Sequence, residues 1–190
     1  MSDLPLYPVP GFADPQERWE RQGRRDVERV RRALGAMVLA VHHVGATSVP
    51  GLPAWVPSSE RDGKPWPVLD LVAEAESLDR LIQARLRLLA YGFEPAEPRR
   101  GDCRFYVVDD MVTGERRVEL HCYPAGHEEA EHVPALFALL RARPELARAY
   151  HQAKLAARTA HGPDERAYHA AKRAWLEGVL DDALALWRAG

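Results

Sequence analysis

The stretch HHVGATSVPGLPAWVPSSERDGKPWPVLDLV, residues 42–72, decides how this chain is read. It joins an apolar run ending at Gly45 to a second apolar run that holds a lone acid, Asp70. Between them Pro50, Pro53, Pro57, Pro65 and Pro67 exclude helix and central strand, because proline fixes φ and has no amide hydrogen. A loop of that length in a small domain is either functional or mobile. Directly after the first run, Gly45 lets the backbone come close to a ligand. The amides and hydroxyls of Ala46, Thr47 and Ser48 can then point at phosphate oxygens. The same residues can also form a tight turn that satisfies its own backbone. Both readings stay open on spacing alone.

Asp70 is the sharper signal. An unpaired carboxylate in a buried strand is costly, so an acid inside PVLDLVA needs a partner. Alternation puts Val68, Asp70 and Val72 on one face. Asp70 is then either a Mg²⁺ ligand at a phosphate site, or an acid paired with an arginine or set at an exposed strand end.

The flanking sequence supplies the frame. DPQERWERQGRRDVERVRRALGAM predicts a helix with Asp14 as N-cap and Pro15 at its first position. Its apolar stripe of Trp19, Val27, Val30 and Leu34 is narrow, as on a surface helix. VLAVHHVG predicts a strand ending at Gly45, and PVLDLVA a strand buried on both faces. SLDRLIQARLRLLAYGF predicts one helix from an N-cap at Ser77 to a stop at Gly92. CRFYVVDDMVTGERRVELHCYP reads as a hairpin turning near residues 109–115. From His132 onward three helices follow, separated at Pro144 and at Gly162-Pro163, with Asp164 capping the last. The outline is α+β with a mixed sheet and a helical C-terminal region.

Composition narrows the function classes. With 190 residues and 46% hydrophobic content, the chain can bury a proper core. Its net charge of −2 leaves no overall footprint for nucleic acid, which ranks last among partners. No run approaches a membrane span and the N-terminus lacks a signal pattern, so a cytoplasmic protein is expected. Two cysteines, Cys103 and Cys122, read as reduced thiols. Oligomeric state is not legible.

Further candidates lie downstream. Glu119, His121 and Arg117 share one face of the second hairpin strand. Glu119 can be a second metal ligand and His121 a phosphate contact or acid–base group, or the face is simply solvated. His121, His127 and His132 match no zinc spacing. In the C-terminal helices Lys154 lies beside the stripe of Tyr150 and Ala157. Tyr168, Lys172 and Trp175 run down one face of the last helix. Such lysines either snorkel outward or reach a polar cleft.

These motifs together resemble the GrpB family. HHVGATSVPGL followed by PVLDL is similar to its His-x-Gly-Ser-Thr-Ser-Val-Pro-Gly-Leu and Lys-Pro-Ile-Ile-Asp-Ile signature. VELH, LLRARPELARAY, Lys154 and the Tyr168–Lys172–Trp175 set match in order, so the resemblance spans residues 7–185. It implies a single domain over 1–190, with an α/β core at 1–131 and C-terminal helices at 132–190. It also implies a nucleotidyltransferase-like fold, a small mixed sheet flanked by helices, related to a domain at the C-terminus of some bacterial dephospho-CoA kinases.

On that resemblance Gly45, Ala46, Thr47 and Ser48 form the phosphate turn, while Asp70 and Glu119 are Mg²⁺ ligands and, with His121, the catalytic set. His43, Lys154, Tyr168 and Lys172 would complete the binding of a nucleotide or other phosphorylated small molecule. This chain departs from the pattern in four places. Ala46 replaces a serine, Val72 stands where a second acid is expected, and Trp66-Pro67 replaces Lys-Pro. Residues 54–66 read as an insertion at the rim of the site. Metal-assisted nucleotidyl transfer needs several carboxylates, so the expected activity divides between transfer, binding alone, and a scaffold that has lost the chemistry.

Overall fold

The computed structural model of the chain describes residues 12–13, 17–56, 60–61, 64–65, 67–97, 102–162 and 164–190. The helix start expected at Asp14 and Pro15, the substituted Trp66, and Pro163 of the interhelical break lie outside them. The chain divides into two compact units, residues 1–130 and 131–190.

In the first unit a short strand β1 (Phe12–Ala13) precedes helix α1 (Glu17–Leu34) and strand β2 (Val38–Val44). The segment expected as an insertion contributes β3 (Ala54–Trp55), which pairs with β1, and a small antiparallel ribbon of β4 (Glu60–Arg61) and β5 (Lys64–Pro65). Then come β6 (Leu69–Ala75), helices α2 (Leu78–Gln83) and α3 (Arg85–Ala90), and strands β7 (Glu94–Ala96), β8 (Arg104–Asp109) and β9 (Arg116–Pro124).

The main sheet has the order β2-β6-β9-β8-β7. Strands β6 and β9 run parallel at its centre, and the other neighbours are antiparallel. This is the expected mixed α+β sheet. A central place explains why PVLDLVA is apolar at nearly every position: Leu69, Leu71, Val72, Ala73 and Ala75 are all buried.

One face of the sheet holds the core. Val41, Leu71, Ala73, Tyr106, Leu120 and Cys122 pack with Val30, Ala33 and Leu34 of α1 and with Leu81, Ala84 and Leu88. Helix α1 is more than a surface helix. It buries Trp19, Gly23, Asp26, Val30, Ala33 and Leu34, and Asp26 and Gly23 on that face disguise it in the sequence. The single helix expected after Ser77 breaks at Ala84 into α2 and α3, although Ser77 does cap it by accepting from the Asp79 amide. Gly92, at φ +81°, supplies the stop.

The second unit holds most of α4 (Glu128–Ala142), then α5 (Pro144–His161), α6 (Glu165–Glu177) and α7 (Leu180–Ala189). Helix α4 starts upstream of the expected His132, and the expected last helix divides at Gly178 and Val179. Asp164 caps α6 by accepting from the Ala167 amide. Ala135, Leu136, Leu139 and Ala183 form this unit's apolar cluster. Among the described residues no helix is long and apolar enough to cross a membrane.

Candidate functional site

Sheet register assembles the site. Val44 of β2 lies opposite Asp70 of β6, and Asp70 opposite Glu119 of β9. Residues two apart on a strand share a face, so His121 joins Glu119 on the face away from the Leu71–Leu120 core. One ligand atom each of Asp70, Glu119 and His121 lies within 4.8 Å of the others. The structure thus brings together three of the residues singled out by sequence, carried by the two parallel central strands.

Gly45 closes this cluster on the β2 side. Its φ of +76° and ψ of +178° fall in a region open essentially to glycine alone. An ideal Cβ there would sit 2.4 Å from Asp70 Oδ2, so the missing side chain is the space the carboxylate occupies. The turn beyond it, Ala46–Ser48, is one turn of 3-10 helix. Thr47 and Ser48 are both buried. Ser48 Oγ donates to the Gly45 carbonyl at 2.8 Å, and His43 Nε2 meets Thr47 Oγ1 at 2.9 Å. The hydroxyls therefore hold the turn in shape, and the first amides of such a turn have no partner within it. His43 stands behind the turn, its ring against Gly23 of α1.

One participant escaped the sequence reading. Arg116 Nη1 donates to Glu119 Oε1 at 3.3 Å, and Arg116 Nε donates to Asp109 Oδ1. His121 Nε2 faces the other oxygen, Oε2, at 3.8 Å. Glu119 is only 8% exposed, so its two oxygens are divided between an arginine and the cluster. The signal was the RRVELH run: Arg116 lies three residues before Glu119, and a bulge in the β8–β9 register at Val108/Asp109 lets it reach there. Arg117, expected on the cluster's face, is held by Asp110 at 3.2 Å. The His121 ring is packed against Phe105, centroids 4.8 Å apart.

The donor set fits a divalent ion: two carboxylates and an imidazole nitrogen converge beside a turn that leaves room for them. Val72 sits where a further acid would complete a two-ion set, and it pairs with His121 across the sheet.

Lys154, Tyr168 and Lys172 belong to the second unit. Lys154 is 3% exposed, its Nζ 5.3 Å from the Tyr150 ring centroid. Burial, aided by the charge of Lys172, pushes its ammonium down to about 7. Lys172 Nζ lies 5.5 Å from the Tyr168 ring centroid, and the Arg158 guanidinium lies 3.9 Å from the same ring. Burial raises the Tyr168 phenol above its usual range. Lys172 also lies within electrostatic reach of the Glu165 carboxylate. Cys103 and Cys122 are both buried, and burial pushes the Cys122 thiol up.

Comparison with known proteins gives the family and the fold. A family model described as GrpB protein matches residues 11–182. The crystal structure of conserved protein GrpB from Enterococcus faecalis matches with a TM-score of 0.72, covering 93% of this chain and 98% of that one at 22% identity, which shows a shared fold. Protein YqkA of Bacillus subtilis is 25% identical over 175 residues, 92% of this chain. A dephospho-CoA kinase of Mycobacterium bovis is 35% identical over 85 residues, 45% of this chain. The chain spans 47% of the length of YqkA and 18% of that kinase. Cid1 poly(U) polymerase bound to MgATP matches 75% of this chain at a TM-score of 0.47 and 13% identity.

Proposed function

The chain belongs to the GrpB family, and from that premise we propose that it binds a nucleotide or another phosphorylated small molecule through a divalent cation held by Asp70 and Glu119. The observation that carries this reading is the convergence of Asp70, Glu119 and His121 within 4.8 Å on adjoining strands, against the Gly45 turn. A cation there would neutralise the acids and offer open positions to phosphate oxygens. The family expectation names Mg²⁺ for it. The turn amides would meet the same phosphate from the β2 side.

Binding is favoured over nucleotidyl transfer. Two-ion transfer stabilises both the entering and leaving oxygens, which takes more carboxylates than this site holds. With Val72 in place of a second acid on β6, and one oxygen of Glu119 held by Arg116, the donor set suits one ion. A scaffold without ligand is the second reading, favoured by the Thr47 and Ser48 hydroxyls being engaged within the protein.

Thermal unfolding against a panel of nucleotides and CoA precursors, with and without Mg²⁺, tests the proposal. A ligand at ~100 times its dissociation constant adds about 2.7 kcal/mol, a readily visible shift. The expected result is a metal-dependent shift that disappears in Asp70→Ala. A shift indifferent to metal would retain binding and remove the ion. No shift with any compound would leave the scaffold.

A further inference from the structure

We infer that His121 is the third protein ligand of this cation site, and that the site selects a first-row transition dication such as Mn²⁺ over Mg²⁺. The inference deepens the reading above and rests on it for the site's use, though not for the identity of the ion. It begins with which atoms face one another. His121 presents Nε2, not Nδ1, to Glu119, and presents it to Oε2 at 3.8 Å. Arg116 holds the other oxygen, Oε1, at 3.3 Å. Oε1 already accepts from Arg116, so the oxygen best placed to share an ion with the imidazole is Oε2. Asp70 completes the set, all three ligand atoms lying within 4.8 Å.

Two ligands of one ion with bonds of about 2.1 Å stand roughly 3.0–3.4 Å apart for right-angle or tetrahedral coordination. The Glu119–His121 spacing is thus about half an ångström from that range, while the three ligand atoms together span up to 4.8 Å, so an ion would draw the side chains inward by roughly an ångström. The Phe105 ring packs against the imidazole, centroids 4.8 Å apart and planes tilted by 38°. On the far side Gly45 has no Cβ to hinder Asp70.

The ligand types then choose the ion. Mg²⁺ takes oxygen and gives up its waters reluctantly, and Ca²⁺ wants six to eight oxygens, more than two carboxylates beside an imidazole supply. Imidazole nitrogen binds first-row transition ions well, and affinity for a mixed nitrogen–oxygen site rises along that series. Two carboxylates, one of them shared with Arg116, leave close to one net negative charge around a dication. That balance leaves the bound ion positive enough to attract an anionic phosphate.

Mn²⁺ reports on its own ligands, so the test needs no turnover. The full chain is titrated with MnCl₂ and, separately, MgCl₂, following bound ion by calorimetry and by Mn²⁺ electron paramagnetic resonance. Pulsed resonance on the Mn²⁺-loaded wild type then looks for modulation from a directly bound ¹⁴N. One site per chain is expected, with Mn²⁺ preferred over Mg²⁺ by roughly tenfold or more. The ¹⁴N modulation should be present in the wild type and absent in His121→Asn. That variant should lose most of the preference while Mg²⁺ affinity changes little, and Asp70→Asn should lose both ions.

Absence of ¹⁴N modulation in the wild type overturns the inference without relying on any variant. So does equal affinity for the two ions, or no Mn²⁺ binding at all. Failure of the phosphate reading looks different. Mn²⁺ would bind with nitrogen coordination while no nucleotide or CoA precursor shifts stability.

Discussion

At the scale of one residue, Lys154 shows how burial sets chemistry. A lysine 3% exposed beside a second lysine cannot hold its proton as it would in water, and its pKa falls from 10.5 to about 7. The sign of the consequence follows from proton counting. Between pH 7 and 10.5 the unfolded chain carries a proton here that the folded one does not, so stability rises with pH across that window. Below pH 7 the folded ammonium is charged too, and its full burial cost stands. Lys154→Met should therefore raise the melting temperature most near pH 6.5, by about 5 °C or more, and give little or no gain at pH 10. Paired melting curves at those two pH values check it. His151, whose imidazole is pushed down to about 4 by burial and by Lys154, is neutral in the folded wild type at both pH values. A gain independent of pH would mean that Lys154 is not held uncharged.

At the scale of elements, the contact between α1 and β2 is written in an unusual currency, a helical glycine. Gly23 leaves the space that the His43 ring fills; an ideal Cβ would lie 2.1 Å from His43 Nδ1. Replacing an interior helical glycine by alanine ordinarily gains about 1 kcal/mol. Here Gly23→Ala should instead destabilise by about 1–3 kcal/mol, since the displaced ring must either strain or abandon Thr47. Urea unfolding measures the sign directly, and a net stabilisation would show that the ring moves freely.

The same contact marks where sequence was legible and where it was not. Strands β2, β6, β8 and β9 announced themselves by apolar runs and a polar hairpin turn, because burial of a strand leaves a compositional trace. Asp70 stood out as an acid inside such a run. Strand β7, only Glu94–Ala96, has a proline and no apolar alternation, and exists because β8 offers its edge. The breaks at Ala84 and Gly178 interrupt patterns whose apolar spacing continues through them. The role of Arg116 depends on a strand bulge, and a one-residue shift in register leaves no mark in local sequence.

At the scale of the whole molecule, the first unit depends on a charge that sequence alone places at the surface. Asp26 has no exposure, and both its oxygens are used: Gln22 Nε2 donates to one at 3.1 Å and Arg29 Nη1 to the other at 2.6 Å. The other guanidinium nitrogen of Arg29, Nη2, donates to the Tyr91 carbonyl, 62 residues along the chain, and the guanidinium carbon lies 5.2 Å from the Phe93 ring centroid. One arginine thus ties α1 to the segment leading into β7. Beside it a cavity of about 380 Å³ reaches Leu69 and Val118, the residues preceding Asp70 and Glu119.

This pair is half-buried, Asp26 having no exposure and the Arg29 side chain 34%, yet removing the arginine still leaves a buried carboxylate with Gln22 as its remaining donor among those described. Arg29→Ala should destabilise the protein by about 2–3 kcal/mol, below the cost of breaking a wholly buried pair because the guanidinium is partly exposed, yet still a sizeable share of the ~5–15 kcal/mol that holds a domain folded. Asp26→Asn in the same chain should recover part of that loss, because the amide left behind carries no charge to bury. A double-mutant cycle by urea denaturation separates the two effects. Additive losses would reduce Arg29 to a surface contact and leave Asp26 stabilised by Gln22 alone. Coupling of a kilocalorie or more would show that Asp26 holds the guanidinium whose other nitrogen donates to the Tyr91 carbonyl.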